Sequence, residues 1–251
     1  MSQKYSNHNL NQVIFQIKFY PILKLYSNNP EVASDFQQIV IKEFPELNFK
    51  HNKTIHLKID STGSPKEEGN NPNLIWCFKN ENGKFIDLSN EKLSLIYPGN
   101  VYSTFDLFLK DIKLALKGLK SYNLPKIKSI GLRYINQIDA TDELTLEKYI
   151  NSKLRLLNSD SENEKIIQSL SKIEYDIDNF YMSFQYGLFN PNFPDSSAKK
   201  DFVLDYDCIL NNVHEKNLEN SLLKMNKLIY NKFENSIKNE LRVKMGGKSR
   251  D

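Results

Sequence analysis

The chain has 251 residues, of which 39% are hydrophobic and 26% are charged, and such values are ordinary for globular proteins and argue against a disordered chain. This length allows one large domain or two small ones. The net charge is only +3 and four of the basic residues are arginines, whereas proteins that bind nucleic acid usually concentrate positive charge and use arginine for bidentate contacts, so the composition disfavours a dedicated nucleic-acid surface.

The two cysteines, Cys77 and Cys208, lie in apolar segments that look like strands. Two cysteines are too few for a disulfide framework, so we expect buried, reduced thiols. The first eight residues lack the apolar segment of a signal peptide. Because no segment approaches eighteen consecutive apolar residues, we expect a cytoplasmic protein that does not enter a membrane.

The first predicted element is a strand over residues 13–19, where apolar and more polar residues alternate. The Asn-Pro pair at 29–30 is suited to begin a helix, which Pro45 ends. Residues 54–59 indicate a second strand. The polar segment 61–73, which contains Gly, Pro and Asn, is predicted to be a surface loop.

A hairpin and a long helix complete the first half. Apolar residues at 74–78 and 85–88 flank the pair Asn82-Gly83, which is a strong hairpin signal. From Val101 to Leu119 apolar side chains recur every three or four residues. This spacing predicts a helix that buries one face.

The second half repeats this scheme. A strand over 129–137 is followed by a helix over 146–157 and by a strand over 180–186. A further strand over 201–208 precedes a long amphipathic helix over 218–233.

The two halves, 1–124 and 125–251, match each other under a shift of 117 residues, which is the difference between Val13 and Ile130. The same shift matches Phe85 with Phe202 and the apolar positions of the two long helices. We therefore predict an α+β fold built by tandem duplication of a strand–helix–strands–helix unit. Such a unit is typical of a mainly antiparallel sheet with helices on one face.

The central strand carries the first candidate binding residues, Arg133, Tyr134 and Asn136. Alternation places Tyr134 and Asn136 on one face of the strand and Gly131 and Arg133 on the other. A glycine here would let a ligand or a second backbone approach closely. One interpretation is an anion or peptide site built on Arg133. The other is that Arg133 lies on a solvated face and pairs with a neighbouring carboxylate.

Asp205 and Asp207 are candidate metal ligands because they share one face of a strand, roughly 6–7 Å apart. Asp176, Asp178 and His214 could complete such a site. An ordinary polar face with lysine partners would have the same pattern, so both interpretations stay open.

Other chemistries find little support. The four histidines do not pair at the spacing of metal ligands, and neither cysteine has a histidine nearby in the sequence. Residues 245–249 superficially resemble the end of a phosphate-binding loop, but Arg242 stands where that motif needs glycine. We expect no cofactor.

Four segments carry a family resemblance, in the order Asn-Gln-Val-Ile-Phe-Gln-Ile-Lys-Phe (11–19), Ile-Gly-Leu-Arg-Tyr-Ile-Asn-Gln-Ile (130–138), Leu-Asp-Tyr-Asp (204–207) and Phe-Glu-Asn-Ser-Ile with the later Met-Gly-Gly (233–247). The chain resembles a sporadically distributed family of bacterial and archaeal proteins of about this length, which is known by a sequence model and has no functional name. The resemblance implies no catalytic or binding residue. Sporadic distribution implies genes associated with mobile elements or defence.

Two functional hypotheses follow. The first is a non-enzymatic protein-binding or regulatory accessory protein, from a mobile-element or antiviral defence system, that binds a protein partner or itself. The alternative is a protein that binds nucleic acid, or processes RNA or DNA with a metal. That alternative would use Asp205 and Asp207, or the lysines of the last long helix, Lys224, Lys227 and Lys232.

Overall fold

The computed structural model describes residues 5–52, 57–59, 65–67, 73–123, 126–139, 143–154 and 166–249. The strands are β1 (Leu10–Phe19), β2 (Glu46–Asn52), β3 (Leu57–Ile59), β4 (Pro65–Glu67), β5 (Asn73–Lys79), β6 (Phe85–Leu88), β7 (Lys92–Pro98), β8 (Ile127–Asp139), β9 (Ser169–Ile177), β10 (Phe180–Phe189) and β11 (Asp201–Asn211). The α-helices are α1 (Glu31–Val40), α2 (Phe105–Lys120), α3 (Glu143–Tyr149), α4 (Leu218–Ser236) and α5 (Asn239–Lys244). Short 3₁₀ segments occupy Leu23–Tyr26, Gly99–Val101, Ser152–Leu154 and Glu215–Asn217.

Nine strands form one sheet in the order β2-β5-β6-β7-β1-β8-β11-β10-β9. Each neighbouring pair is antiparallel, and β3 and β4 form a separate antiparallel pair. The predicted α+β class with a mainly antiparallel sheet is therefore confirmed. Strands β1 and β8 lie side by side, so strands from before and after residue 125 belong to the same sheet.

One face of this sheet carries the core. In β1 the buried residues are Val13, Phe15, Ile17 and Phe19, while the residues between them are half-buried or exposed. The helices pack on this core face, as aromatic contacts show for α1, α2 and α4; the pairs are Phe36–Phe78, Phe108–Tyr97 and Phe233–Tyr206. Burying such aromatic side chains removes large apolar areas from water and holds the two layers together.

Helix α2 begins later than its apolar pattern indicates. The pattern starts at Val101, but that residue ends a 3₁₀ segment. The hydroxyl of Thr104 accepts a hydrogen bond from the backbone N–H of Leu107 at 3.3 Å and caps the helix, which starts at Phe105. A threonine cap satisfies a backbone donor that the first turn leaves open, and it places the start of α2 beside the central strands.

The hairpin between β5 and β6 forms as predicted. Gly83 has a φ of +83°, which favours glycine. The turn is longer than a two-residue loop, since the side-chain oxygen of Asn80 accepts hydrogen bonds from the backbone N–H groups of Asn82 and Lys84.

Some predicted boundaries differ from the structure. Strands β2, β7 and β9 were not predicted. The strand expected at 54–59 and the loop expected at 61–73 lie partly outside the described residues, which include β3 and β4 within them. The helix expected at 146–157 ends at Tyr149, and a 3₁₀ segment follows; residues 155–157 lie outside the described part. Within the described residues, no helix has both the length and the apolarity to span a bilayer.

Candidate functional site

Strand β8 contributes to two different sites, one on each face of the sheet. On the core face, Tyr134 and Asn136 lie at the floor of a cavity of about 300 Å³, which we call the central cavity. Its walls come from the start of α2, from α4 and from the N-terminal segment before β1. Its polar lining includes Tyr5, His8, Tyr102, Tyr134, Asn136 and Asn226.

A chain of hydrogen bonds crosses the central cavity. The hydroxyl of Tyr134 donates to Oδ1 of Asn226 at 2.9 Å, and the hydroxyls of Tyr102 and Tyr134 are 3.0 Å apart. Because Tyr134 uses its proton for Asn226, Tyr102 must donate to Tyr134. Burial raises the pKa of Tyr102 to about 12 and that of Tyr134 well above its usual value. Both phenols are therefore neutral at physiological pH and serve recognition better than proton transfer.

One buried polar atom of this cavity, Nδ1 of His8, has no hydrogen-bond partner among the described residues. Nε2 of His8 lies 2.8 Å from the backbone oxygen of Tyr102 and donates a hydrogen bond to it, which leaves Nδ1 as the other ring nitrogen. That Nδ1 atom is buried and unpartnered. Asn136 is 4% exposed, and its Nδ2 donates to the backbone oxygen of Leu204 at 3.3 Å, while no hydrogen bond in the described chain uses its Oδ1. Buried polar atoms without partners are uncommon in folded proteins, so Nδ1 of His8 requires an explanation.

The N-terminal strap, which we define as residues 5–9, covers the central cavity. The Tyr5 hydroxyl donates to a carboxylate oxygen of Glu234, and the backbone N–H of Asn7 donates to the backbone oxygen of Met245 at 3.1 Å. Glu234 is itself held by Arg242, whose Nε lies 3.0 Å from its other oxygen. These contacts fix Tyr5 and His8 over the cavity.

The opposite side of β8 faces the sheet surface that the core helices leave uncovered, which we call the open face. Here Arg133 makes a bidentate pair with Asp205, with Nε and Nη2 at 2.8 and 2.6 Å from the two carboxylate oxygens. Asp207 lies directly across the ladder from Arg133, and burial raises its pKa. The predicted trio is thus divided: Tyr134 and Asn136 line the central cavity, whereas Arg133 lies on the open face and pairs with a carboxylate.

The arrangement around Asp205 and Asp207 is that of an ion pair. The guanidinium of Arg133 occupies both oxygens of Asp205. Across the parts of the chain that the structure describes, no three His, Cys, Asp or Glu side chains are grouped so that they could hold a metal ion.

Three isoleucines lie on the open face on both sides of Arg133 along the strands. Ile14, Ile135 and Ile209 are half-buried there, on three neighbouring strands. A Cβ atom added to Gly131 would be 3.8 Å from its nearest neighbour. Close strand packing therefore does not require this glycine.

Several cavity residues were not predicted from the sequence. Tyr102 and Asn226 are 32 and 92 positions from Tyr134, and Tyr5 and His8 reach the cavity only through the course of the strap. No local pattern could have indicated these contacts.

Comparison with known proteins gives no further assignment: no protein-family model matches the chain, and no curated protein matches it. The functional argument therefore depends on the geometry of the central cavity and the open face.

Proposed function

We propose that this chain is a non-enzymatic accessory or regulatory protein that binds a protein partner through the open face. The observation that carries this proposal is the surface around Gly131, where Ile14, Ile135 and Ile209 lie beside the pair formed by Arg133 and Asp205. Apolar patches with polar surroundings mark protein interaction sites. Arginine is enriched in such interfaces, where it supplies both apolar contact and directional hydrogen bonds.

The charges of the open face favour a protein over a nucleic acid. Asp205 neutralises Arg133, and Asp207 adds a further carboxylate next to it. Nucleic-acid affinity comes mainly from cations that neutralise phosphates, and paired cations contribute little to it. On α4, Lys232 lies 3.6 Å from the ring centre of Tyr175, so one of the three lysines suggested for nucleic acid has an aromatic partner.

We also propose that the fold arose by tandem duplication. Both halves run from a central strand through a helix to an edge strand, return strand by strand to the centre and end in a long helix. In the ladder between β1 and β8, Phe15 lies opposite Leu132, and these two residues are also related by the shift of 117. A twofold axis that exchanges the halves would pass through such a pair, which supports the proposal.

The register indicates a shorter shift after the central strands. In the sheet, Leu93 of β7 pairs with Ile17 of β1, and Tyr206 of β11 pairs with Tyr134 of β8. Ile17 and Tyr134 are related by the shift of 117, so Leu93 and Tyr206 hold equivalent places in the two halves. Leu93 and Tyr206 are 113 residues apart, and α2 and α4 also begin 113 residues apart, at 105 and 218. Phe85 lies in β6 and Phe202 lies in β11, and these two strands do not hold equivalent places in the two halves. The match of Phe85 with Phe202 under a shift of 117 therefore does not relate equivalent residues.

The family resemblance leads us to propose a mobile-element or antiviral defence system as the setting of this protein. The open-face argument does not depend on that context. It applies to any partner that presents an apolar surface with charges of both signs.

The experiment compares the wild-type protein with the double variant Ile14→Gln, Ile209→Gln and with the control Ile41→Gln, which alters an isoleucine that is 44% exposed after α1. Each tagged protein is used to capture partners from its native cells, and binding of the recovered partner is then measured by calorimetry. We expect one partner to bind wild type and the control and to lose at least about tenfold in affinity with the double variant.

Other results would overturn the proposal. Sedimentation could show only self-association that the double variant abolishes, in which case the open face joins copies of this chain. Cleavage of RNA or DNA with Mg²⁺ that is lost in Asp205→Ala, Asp207→Ala would replace it with the nuclease alternative. Equal binding by the double variant would show that the partner uses another surface.

A further inference from the structure

The central cavity offers a fixed set of hydrogen-bonding groups that the protein leaves open. Oδ1 of Asn136 is an acceptor that no hydrogen bond in the described chain uses, whereas the unpartnered Nδ1 of His8 is enclosed by its surroundings. Asn226 accepts from Tyr134 through Oδ1, and its Nδ2 group, which no hydrogen bond in the described chain uses, is a donor. A ligand that fits these groups must carry at least one donor and one acceptor.

The charge of the lining disfavours an anionic ligand. Among the described residues that line the cavity, none is lysine or arginine, and Asp106 contributes a carboxylate at the rim. The start of α2 would attract an anion, but Thr104 already caps its first turn and Asp106 supplies negative charge there. A phosphate in the cavity would have no cation partner, and burying an unpaired charge is costly.

The walls and the volume favour a flat molecule of one or two rings. Aromatic side chains from three segments, including Tyr5, Phe105 and Tyr230, present ring surfaces to the cavity. Its volume of about 300 Å³ is at the small end of the roughly 300–1,000 Å³ typical of small-molecule sites. A second depression next to the cavity shares Tyr5, His8, Leu10, Tyr102 and Ser103 with it.

From these observations we propose that the central cavity binds a small uncharged heteroaromatic molecule with the chemistry of a nucleobase or nucleoside. Asn136 accepts a hydrogen bond from one of its ring substituents, Asn226 donates one to another, and the tyrosine rings pack against it. This site is on the opposite side of the sheet from the open face, so it does not depend on the proposed protein partner. It gives an accessory protein a means to respond to a metabolite.

The probes are adenine, uracil, nicotinamide, adenosine and adenosine monophosphate, each titrated into the full chain by calorimetry. At least one uncharged probe should bind with one-to-one stoichiometry, and the monophosphate should bind at least about tenfold more weakly than adenosine because its charge has no partner.

Two variants locate the site. Asn226→Leu removes the donor and should weaken binding about tenfold, whereas Asn231→Leu alters an exposed asparagine of the same helix and should bind as wild type. Ser103→Phe places a ring at the cavity rim and should abolish binding. It leaves the hydrogen bonds of Tyr134 in place, so it tests the site even if Asn226→Leu does not fold.

Three outcomes would overturn the proposal. If no uncharged probe binds at millimolar concentration, the open polar atoms serve ordered water only. If the monophosphate binds as tightly as adenosine, the cavity does not prefer uncharged molecules. If Ser103→Phe binds as wild type, the ligand lies elsewhere.

Discussion

A buried carboxylate on α2 allows a sharp test of what holds the helix layer to the sheet. Asp111 is 5% exposed and lies within the apolar stripe of its helix. One of its oxygens accepts a hydrogen bond from the hydroxyl of Tyr97, which is 2% exposed, and lies 3.2 Å from Nζ of Lys84. Nζ of Lys84 is also 4.6 Å from the ring centre of Tyr97. These three groups join β7, α2 and the hairpin after β5.

The perturbation is Lys84→Met, which keeps the aliphatic stem and removes the charge. Removing one partner of a buried ion pair typically costs about 3–5 kcal/mol, since the other charge stays buried without compensation. The side chain of Lys84 is 20% exposed, so water reaches the site and the expected loss is smaller, about 2–3 kcal/mol. The double variant Lys84→Met, Asp111→Leu should recover most of this loss, because its main remaining cost is the lost hydrogen bond of Tyr97, about 1 kcal/mol.

The assay is urea unfolding followed by circular dichroism. At a slope of about 3 kcal/mol/M for a chain of this size, the single variant should lower the midpoint by about 0.7–1 M. The matched control is Lys24→Met, which breaks a pair with Asp35 of similar length, 2.9 Å, but with both side chains about half exposed. An exposed pair should contribute less than about 1 kcal/mol. The reasoning is refuted if Lys84→Met costs no more than the control, or if the two changes in the double variant simply add.

Three further predictions concern single positions. Gly118→Ala should lower the free energy of unfolding by about 1–3 kcal/mol although alanine has the better helix propensity, because a Cβ atom there would lie 2.7 Å from the ring of Phe36. The control in the same denaturation experiment is Gly131→Ala, which should be tolerated because its Cβ atom would lie 3.8 Å from the nearest atom. The thiol of Cys208 is fully buried with its pKa raised to about 12, so an aromatic disulfide reagent should label it only after unfolding, and rapid labelling of the native chain would contradict this placement. Burial holds the pKa of Tyr134 well above 10 in the folded chain. The unfolded chain therefore loses this proton first, and the free energy of unfolding should fall as the pH rises above about 10. A free energy of unfolding that stays constant between pH 9 and about 11 would contradict this prediction.

Local patterns predict the central elements and fail at the margins of the sheet. Residues buried on one side alternate clearly in β1 and β8, because both strands have neighbours on each side and helices above. Strands β2 and β9 are the two edges of the described sheet. One flank of each pairs with no described strand, and Phe49 of β2 is 62% exposed. Edge strands therefore carry a weak alternation. Strand β7 is different: its residues 93–97 are all buried, so the period-two alternation that marks a half-buried strand is absent there.

The sites show a similar division between local and distant information. Period-two alternation was enough to separate Arg133 from Tyr134 and Asn136, because the two faces of a strand are determined locally. The partner of Arg133 is Asp205, which is 72 positions away in the sequence. Alternation alone cannot distinguish a carboxylate that pairs with an arginine from one that binds a metal ion. Only the register of β8 with β11 makes that distinction.

The position of the central cavity gives the proposed duplication a functional meaning. Under the shift of 117, Tyr134 and Asn136 match Ile17 and Phe19, which are both fully buried in the core. Two apolar core positions of one half are thus occupied by polar residues in the other, and these residues line the cavity with groups from α4 and the strap. Polar residues in such places are costly unless they are satisfied, so a sequence selected for stability alone would have kept isoleucine and phenylalanine there. The proposed ligand of Asn136 would explain this difference between the halves. The proposed protein partner of the open face would likewise explain why Arg133 stands at the position that matches Gln16.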